Sequence, residues 1–301
     1  MSQTIEARTG NWGRWGDDDE RGALNLLTPE LVLAATRVCR TGKVYSLALP
    51  IQQEGMPVVP YRNPPMRLTL VNDSDQEMFA AYGGTDVGAN EDVLILASHN
   101  ETHMDALCHV YHQGRLYNGY PSDTVKTNAG ATRCGIEKVG AIAGRAVVLD
   151  VPRLLGVDHL EGGHVVAAAE LTGAADAQGT PFGTGDIVLV RTGWLEQYLA
   201  DPASAEMLSQ PGLGYEAAAL LVERDVVAVG ADNAAVEVIP FDRNAFLGIH
   251  VELLVKGGIY LLENLVLADL ARDGVHECLL VVAPLPVTGA MGSPINPIAI
   301  G

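Results

Sequence analysis

The chain has 301 residues, enough to bury a large core as one domain or at most two. Nearly half of it, 48%, is apolar, and 33 Gly and 16 Pro make it loop-rich and globular, neither disordered nor fibrous. A net charge of −18 without any cluster of Lys and Arg excludes a phosphate-binding face, so no nucleic-acid partner is expected.

Residues 1–27 hold Trp12, Trp15 and the acidic run Asp17–Glu20, and read as an irregular lead-in. No cationic stretch followed by an apolar run opens the chain, so no signal peptide is expected. Thr28-Pro29-Glu30 then starts a helix expected to reach about Arg40. It offers a hydroxyl N-cap, a proline in the first turn and a carboxylate near the positive helix end. β-branched and aliphatic runs predict strands at Val44–Ile51, Val93–Ala97, Ala146–Val151, Ile187–Thr192, Val226–Gly230, Ile259–Leu262 and Cys278–Ala283. Helices are predicted at His164–Thr172, Tyr215–Arg224, Phe246–Lys256 and Leu265–Arg272. The segment Pro57–Asn90, rich in Pro, Asn, Asp and Gly, reads as a loop that either shapes a pocket or forms a surface insertion.

Several of these strands are continuously apolar, which implies burial on both faces, and the strand–helix alternation of the second half implies a mixed α/β core. No linker splits the chain, so a single domain over residues 1–301 is expected. No apolar stretch approaches the ~20 residues needed to cross a bilayer. Cys39, Cys108, Cys134 and Cys278 are widely spread and form no C-x-x-C pair, so reduced, buried thiols and a cytoplasmic location are expected.

Four of the 8 histidines lie between His99 and His112. The core of the cluster, His99-Asn100-Glu101-Thr102-His103-Met104-Asp105-Ala106-Leu107-Cys108-His109, directly follows a predicted strand. In an extended segment alternate side chains share a face, so His103, Asp105 and His109 can point to one side, with His99 joining from the strand end. On a helix Asp105 would swing off that face. Two imidazoles and a carboxylate suit a divalent metal and leave positions open for water and substrate. Such a metal lowers the pKa of water and polarises a carbonyl, which is what hydrolysis of an amide or ester requires. Cys108 is expected to point away from His109 and to pack. The sequence has neither the G-x-S-x-G elbow of a serine hydrolase nor a P-loop. Trp12, Trp15, Trp194 and Tyr111 read either as aromatic walls for a substrate or as core packing.

The same segment resembles the H-x-G-T-H-x-D-x-P-x-H signature of the cyclase-like metal-dependent hydrolase family, which includes bacterial kynurenine formamidase and isatin hydrolase. Arg191-Thr192-Gly193-Trp194, Gly230-Ala231-Asp232, Glu263-Asn264-Leu265 and the closing Pro284-Leu285-Pro286 to Pro294 also look like family landmarks. The resemblance therefore runs from about Asn11 to the C-terminus. It implies a kynurenine formamidase-like fold, a β-barrel-like core with flanking helices, assembled as a homodimer. It also implies a divalent metal, Zn2+ or Mn2+, on His99, His103 and Asp105. His109 matches a histidine that in some members approaches a second metal and in others handles protons, while His250 and Glu263 resemble the pair that completes the formamidase site. His109, His250 and Glu263 are thus the catalytic candidates.

Two positions depart from the signature. Its glycine is Glu101 here, either an added carboxylate beside the site or a solvated loop residue, and its proline is Leu107. The expected activity is hydrolysis of a C–N bond in an aryl or cyclic amide by a metal-activated water. His109 or Glu263 would take the proton, and His250 would orient the substrate or stabilise the developing oxyanion. A cyclase or dehydratase using the same metal as a Lewis acid on a polyketide-like substrate is the alternative, and would need a longer apolar cavity. A metal-binding protein without turnover is the second alternative, and would close the coordination sphere with a fourth protein group.

Overall fold

A computed structural model of the chain describes residues 10–59, 61–84 and 86–301; the first nine residues of the expected lead-in lie outside them. In chain order the strands that matter here are β1 (Val44–Ser46), β2 (Met66–Val71), β3 (Glu91–Ile95), β4 (His103–Asp105), β5 (Ile142–Asp150), β6 (Ile187–Arg191), β7 (Ala228–Ala231), β8 (Tyr260–Glu263), β9 (Glu277–Val282), β10 (Gly292–Pro294) and β11 (Ile298–Ile300). Nine of them form one curled sheet in the order β1-β11-β9-β5-β6-β7-β8-β4-β10, with helices packed against it. The fold is mixed α/β, as the alternation in the sequence implies.

The centre of the sheet is the parallel block β5-β6-β7-β8. Its strands are the continuously apolar runs, and β7 and β8 are buried at every position. A parallel strand covered on both faces has no solvent side on which to place polar residues. The crossovers carry the helices Ala168–Gln178 and Tyr215–Glu223, which pack on each other and close one face. Antiparallel strands extend the block on both sides: β9, β11 and β1 next to β5, and β4 and β10 next to β8. No helix among the described residues is long and apolar enough to cross a membrane.

Several elements differ from their expected extents. The first helix starts at Pro29 with Thr28 Oγ1 accepting from the Leu31 N–H at 3.4 Å, but it stops at Ala35 and tightens into a 3-10 turn, Thr36–Val38, short of Arg40. β1 ends at Ser46: the Leu47 N–H still donates to Pro297 O, but Pro297 has no N–H to return, the Leu47 carbonyl accepts from Val266, and the Leu49 N–H is taken by the Thr102 hydroxyl. Val165–Val166 pairs with Gly212–Leu213, so the helix expected from His164 begins only at Ala168 and runs to Gln178, where Gly179 turns left-handed. The apolar segment from Phe246 is helical from Gly248 to His250 and continues as a π-helix, Val251–Gly257.

The Pro57–Asn90 segment is not simply a loop. It contains β2 and the helix Gln76–Ala81, and β2 pairs with β3 in a hairpin separate from the main sheet. The apolar residues of that hairpin, Met66, Leu68, Leu70, Leu94 and Ile95, are exposed. The Pro, Asn and Asp residues around β2 hide its short apolar alternation from a composition argument.

The lead-in acts as a strap across the π-helix. Asn11 N–H donates to Lys256 O and Asn11 Nδ2 to Gly257 O, both at 2.8 Å, while Trp12 Nε1 donates to Val255 O at 2.6 Å. These are carbonyls at a helix end, which otherwise lack partners. The strap then passes close to Gly258: Gly22 sits at φ +59°, and a Cβ there would lie 2.3 Å from Gly258 O. Gly22→Ala should therefore destabilise the protein by about 3 kcal/mol, combining backbone strain with collision against main chain. Thermal denaturation checks this, and an unchanged Tm would show that the strap yields without cost.

Candidate metal centre

Strand β4 carries the middle of the histidine motif and is hydrogen-bonded on both sides. Against β8, Met104 faces Leu262 and His103 faces Glu263; against β10, Asp105 faces Gly292 and His103 faces Pro294. Alternation along the strand puts His103 and Asp105 on one face, as the spacing predicts. The preceding turn is pinned by polar ties to the residue after β8. Thr102 Oγ1 donates to Asn264 O at 2.6 Å, and Asn264 Nδ2 donates to Glu101 O at 3.0 Å. His103 Nδ1 also donates to Glu101 O, at 2.9 Å, which turns Nε2 into the site, where Glu263 and Asp105 raise the pKa of the ring against its burial. Gly292 makes room for His99: a Cβ there would lie 2.6 Å from His99 Nε2.

Asp105 is the hub. Its Oδ1 lies 3.3 Å from His99 Nε2, 3.7 Å from His103 Nε2 and 4.0 Å from His109 Nε2, and its Oδ2 lies 3.6 Å from His250 Nε2. Glu263 closes the cluster, with Oε2 3.0 Å from His103 Nε2 and Oε1 3.3 Å from His250 Nε2. The structure thus brings together all six residues singled out in the sequence. Two sets of donor atoms, His99/Asp105/His109 and Asp105/His250/Glu263, are each close enough to hold one ion, and they share Asp105.

Three members of the cluster have buried polar atoms without a hydrogen-bond partner: His99 Nε2, His103 Nε2 and both carboxylate oxygens of Asp105. The approach of Glu263 to His103 is short but lacks hydrogen-bond geometry. Buried polar groups are rarely left in that condition, because each costs about 1–3 kcal/mol. Imidazole nitrogens and carboxylates gathered around Asp105 in this way fit a divalent cation, although His103 belongs to neither of the two compact donor sets.

The electrostatics sort the residues. Burial, reinforced by His109 and His103, pushes the pKa of His99 far below the imidazole range, and burial also lowers that of His109. Burial raises the pKa of Asp105, although the surrounding imidazoles oppose it. For Glu263 burial is outweighed by His103 and His250, which hold it well below the usual carboxylate range. Burial also opposes charge on His250, but Glu237 and Glu263 overcome it and hold that imidazole well above its ordinary pKa.

Glu237 is a residue that sequence reasoning missed. It is fully buried, accepts from the Ile249 N–H at 3.2 Å, and is hydrogen-bonded to His250 Nδ1. It fixes the ring so that Nε2 faces Asp105 and Glu263. The available signal was a lone carboxylate inside the apolar run Ala234–Ile239. Glu101 is also corrected: it is buried, not a solvated loop residue, and sits at φ +43°, where the signature has glycine. Burial pushes its pKa up to about 7.

A cavity of about 830 Å³ opens onto the cluster at His109, His250 and Glu263. Its walls are mostly apolar and include Tyr61, Tyr111, Met207, Phe241 and Phe246. Tyr111 is thus a wall residue, but Trp12, Trp15 and Trp194 are not. Trp12 and Trp15 belong to the strap or pack on the core, and Trp194 is buried in a separate small cluster with Leu49 and Leu195.

The Cyclase family model matches residues 45–238. A solved structure described as that of a novel cyclase is 36% identical, with 97% of each chain covered and a TM-score of 0.88. The chain belongs to the cyclase family. Isatin hydrolase A from Labrenzia aggregata, solved with benzyl benzoate bound, shares the fold at 19% identity, covering 90% of this chain and 97% of its own, with a TM-score of 0.62. A protein described as a potential metal-dependent hydrolase with cyclase activity is 20% identical, with 85% of this chain and 98% of its own covered and a TM-score of 0.54. No curated protein matches the sequence.

The other family landmarks meet at the C-terminal ends of the parallel strands, where open α/β sheets place their sites. Asp232, after β7, accepts from the Thr192 N–H, the Thr192 hydroxyl and the Gly193 N–H after β6, each at 2.7 Å. Burial pushes its pKa up to about 6, against the pull of these donors. A folded-state pKa above the unfolded value means that the unfolded chain releases this proton first. Asp232 should therefore lose about 3 kcal/mol of its stabilising contribution as pH rises from 4 to 6. Denaturant titrations of the wild type and Asp232→Asn across that window isolate the effect, and parallel stability–pH curves would refute it.

Proposed function

We propose that this protein is a metal-dependent hydrolase that cleaves a C–N bond of an aryl or cyclic amide, with the metal held by His99, His103 and Asp105. The observation that carries the reading is that Nε2 of His99 and of His103 and both carboxylate oxygens of Asp105 are buried without partners, in a cluster whose other members, His109, His250 and Glu263, open onto a substrate-sized cavity. A bound divalent ion supplies Lewis acidity at the scissile carbonyl and acidifies water. The donor set suits zinc or manganese.

The remaining residues divide the work by charge. Glu263, which lies at the cavity, takes the proton of the attacking water. Glu263 returns that proton to the leaving nitrogen, and His109, a neutral imidazole at the cavity wall, is the alternative acceptor for the same proton. His250, locked by Glu237, donates from Nε2 to the oxygen on which negative charge develops. The isatin hydrolase likeness supports the cyclic-amide half of the reading. The size and apolar lining of the cavity favour one other reading, a cyclase or dehydratase acting on an extended substrate. An open cavity at His109, His250 and Glu263 speaks against a closed, non-catalytic metal site.

A panel of N-formyl anilines, lactams and imides tests the reading; turnover of an aldol or dehydration substrate without turnover of any amide would replace it by the cyclase reading. Two variants test the residues. His103→Ala should lose the metal by elemental analysis while retaining the fold by circular dichroism, and equal metal content in both proteins would remove His103 from the ligand set. Glu263→Gln should retain the metal and lower kcat by about 100-fold or more, the scale of a lost general base. An unchanged kcat would leave Glu263 a structural role only.

A further inference from the structure

Arg62 is the one Lys or Arg side chain among the described residues that line the cavity. Its surroundings set it apart from the other half-buried arginines. Arg14 is paired with Asp225, Arg145 with Asp186 and Glu277, and Arg191 with Asp150 and Glu196. Among the described residues Arg62 has no such acid. Its Nη1 donates to the His99 carbonyl, its Nη2 donates to Tyr61 Oη at 3.1 Å, and its guanidinium lies 5.2 Å from the centre of the Tyr61 ring. These neutral partners orient the group and leave its charge and several of its five N–H donors uncommitted. A guanidinium fixed by a carbonyl and stacked on an aromatic ring is preorganised for planar, bidentate capture of an oxyanion.

The walls next to it complete the picture. Tyr61, Tyr111, Phe241, Phe246 and Met207 present flat or deformable apolar surface, and the volume of about 830 Å³ lies towards the upper end of the roughly 300–1,000 Å³ typical of small-molecule sites. An isolated single ring would leave much of this space unfilled. In a chain of net charge −18, a cation left without an acid in an apolar cavity is an invitation to an anionic ligand.

We propose that Arg62 is the specificity residue of this cavity, and that the substrate is a bulky, ring-bearing molecule with a pendant carboxylate that Arg62 binds while the scissile bond lies over Asp105. The substrate class rests on the hydrolase reading above, but the recognition by Arg62 does not require turnover. The anchor acts in the ground state and the transition state alike, so its loss raises KM more than it lowers kcat.

The test is calorimetric titration of the metal-loaded protein with three probes: an N-aryl lactam bearing a carboxylate on the ring, its methyl ester, and benzoate. Benzoate mimics the acid that amide hydrolysis itself releases. The wild type should prefer the acid to the ester by about tenfold or more, in line with 1.5–3 kcal/mol for a charged hydrogen bond. Arg62→Gln should abolish that preference and Arg62→Lys should keep part of it. A preference that is absent in the wild type, or that survives in Arg62→Gln, overturns the proposal. So does an equal loss for acid and ester, which would limit Arg62 to holding the His99 turn. A loss confined to benzoate would assign Arg62 to the product and overturn it as well. If the preference behaves as expected but neither lactam is hydrolysed, the hydrolase reading fails and the recognition by Arg62 stands.

Discussion

A carboxylate and four imidazoles share a space from which water is largely excluded, and the rest of the molecule is arranged around that fact. Asp105 is about 1% exposed, and the imidazoles of His99, His103, His109 and His250 converge on it. Burying a carboxylate is costly unless it is paired, hydrogen-bonded or bound to a cation. The surrounding structure spends its polar contacts on fixing the partners: Glu101 O on His103, Glu237 on His250, and Gly292 giving way to His99. Each arrangement restricts one ring to the orientation in which Nε2 faces the hub. Such supporting contacts set ligand geometry and are typically worth 10–100-fold in metal affinity.

How much of this was legible depends on how far apart the partners lie in sequence. The cluster from His99 to His109 was visible because its spacing matches the alternation of an extended chain, and β4 bears this out for His103 and Asp105. The buried parallel strands were visible because continuous runs such as Ile187–Arg191 leave no solvent face. Glu237 was not visible as a partner of His250, because only the fold sets it against the start of the helix at Gly248. Arg62 was hidden in a segment whose Pro and Asn content read as loop. Glu101 stays open between two readings for a related reason: a charged residue in a turn is usually solvated, and only the packing of the turn against Asn264 buries this one. The short extent of β1 has the same origin, since distant contacts such as Val266 with Leu47 and Thr102 with Leu49 end an element that local propensity would continue.

The lead-in is a case where the sequence left two places open for its aromatic residues, a pocket wall or the core. Trp12 and Trp15 are large and amphipathic, and an aromatic pocket wall was a reasonable expectation. Instead Trp12 gives its N–H to the Val255 carbonyl at the end of the π-helix that begins next to His250. The strap supports the site through the backbone beneath it, while the aromatic surface of the cavity comes from Tyr61, Tyr111, Phe241 and Phe246.

Strand β4 also sets an order of events in the making of the protein. It is three residues long and gains its place only between β8 and β10, which follow it by roughly 160 and 190 residues in the chain. A chain emerging from the ribosome exposes the histidines long before either of the neighbours that hold them has appeared. Contacts of such long sequence separation form late because the intervening loop must be closed first. The geometry of the cluster is therefore a product of late folding, and a cation meeting the nascent segment would find flexible side chains in place of the finished cluster.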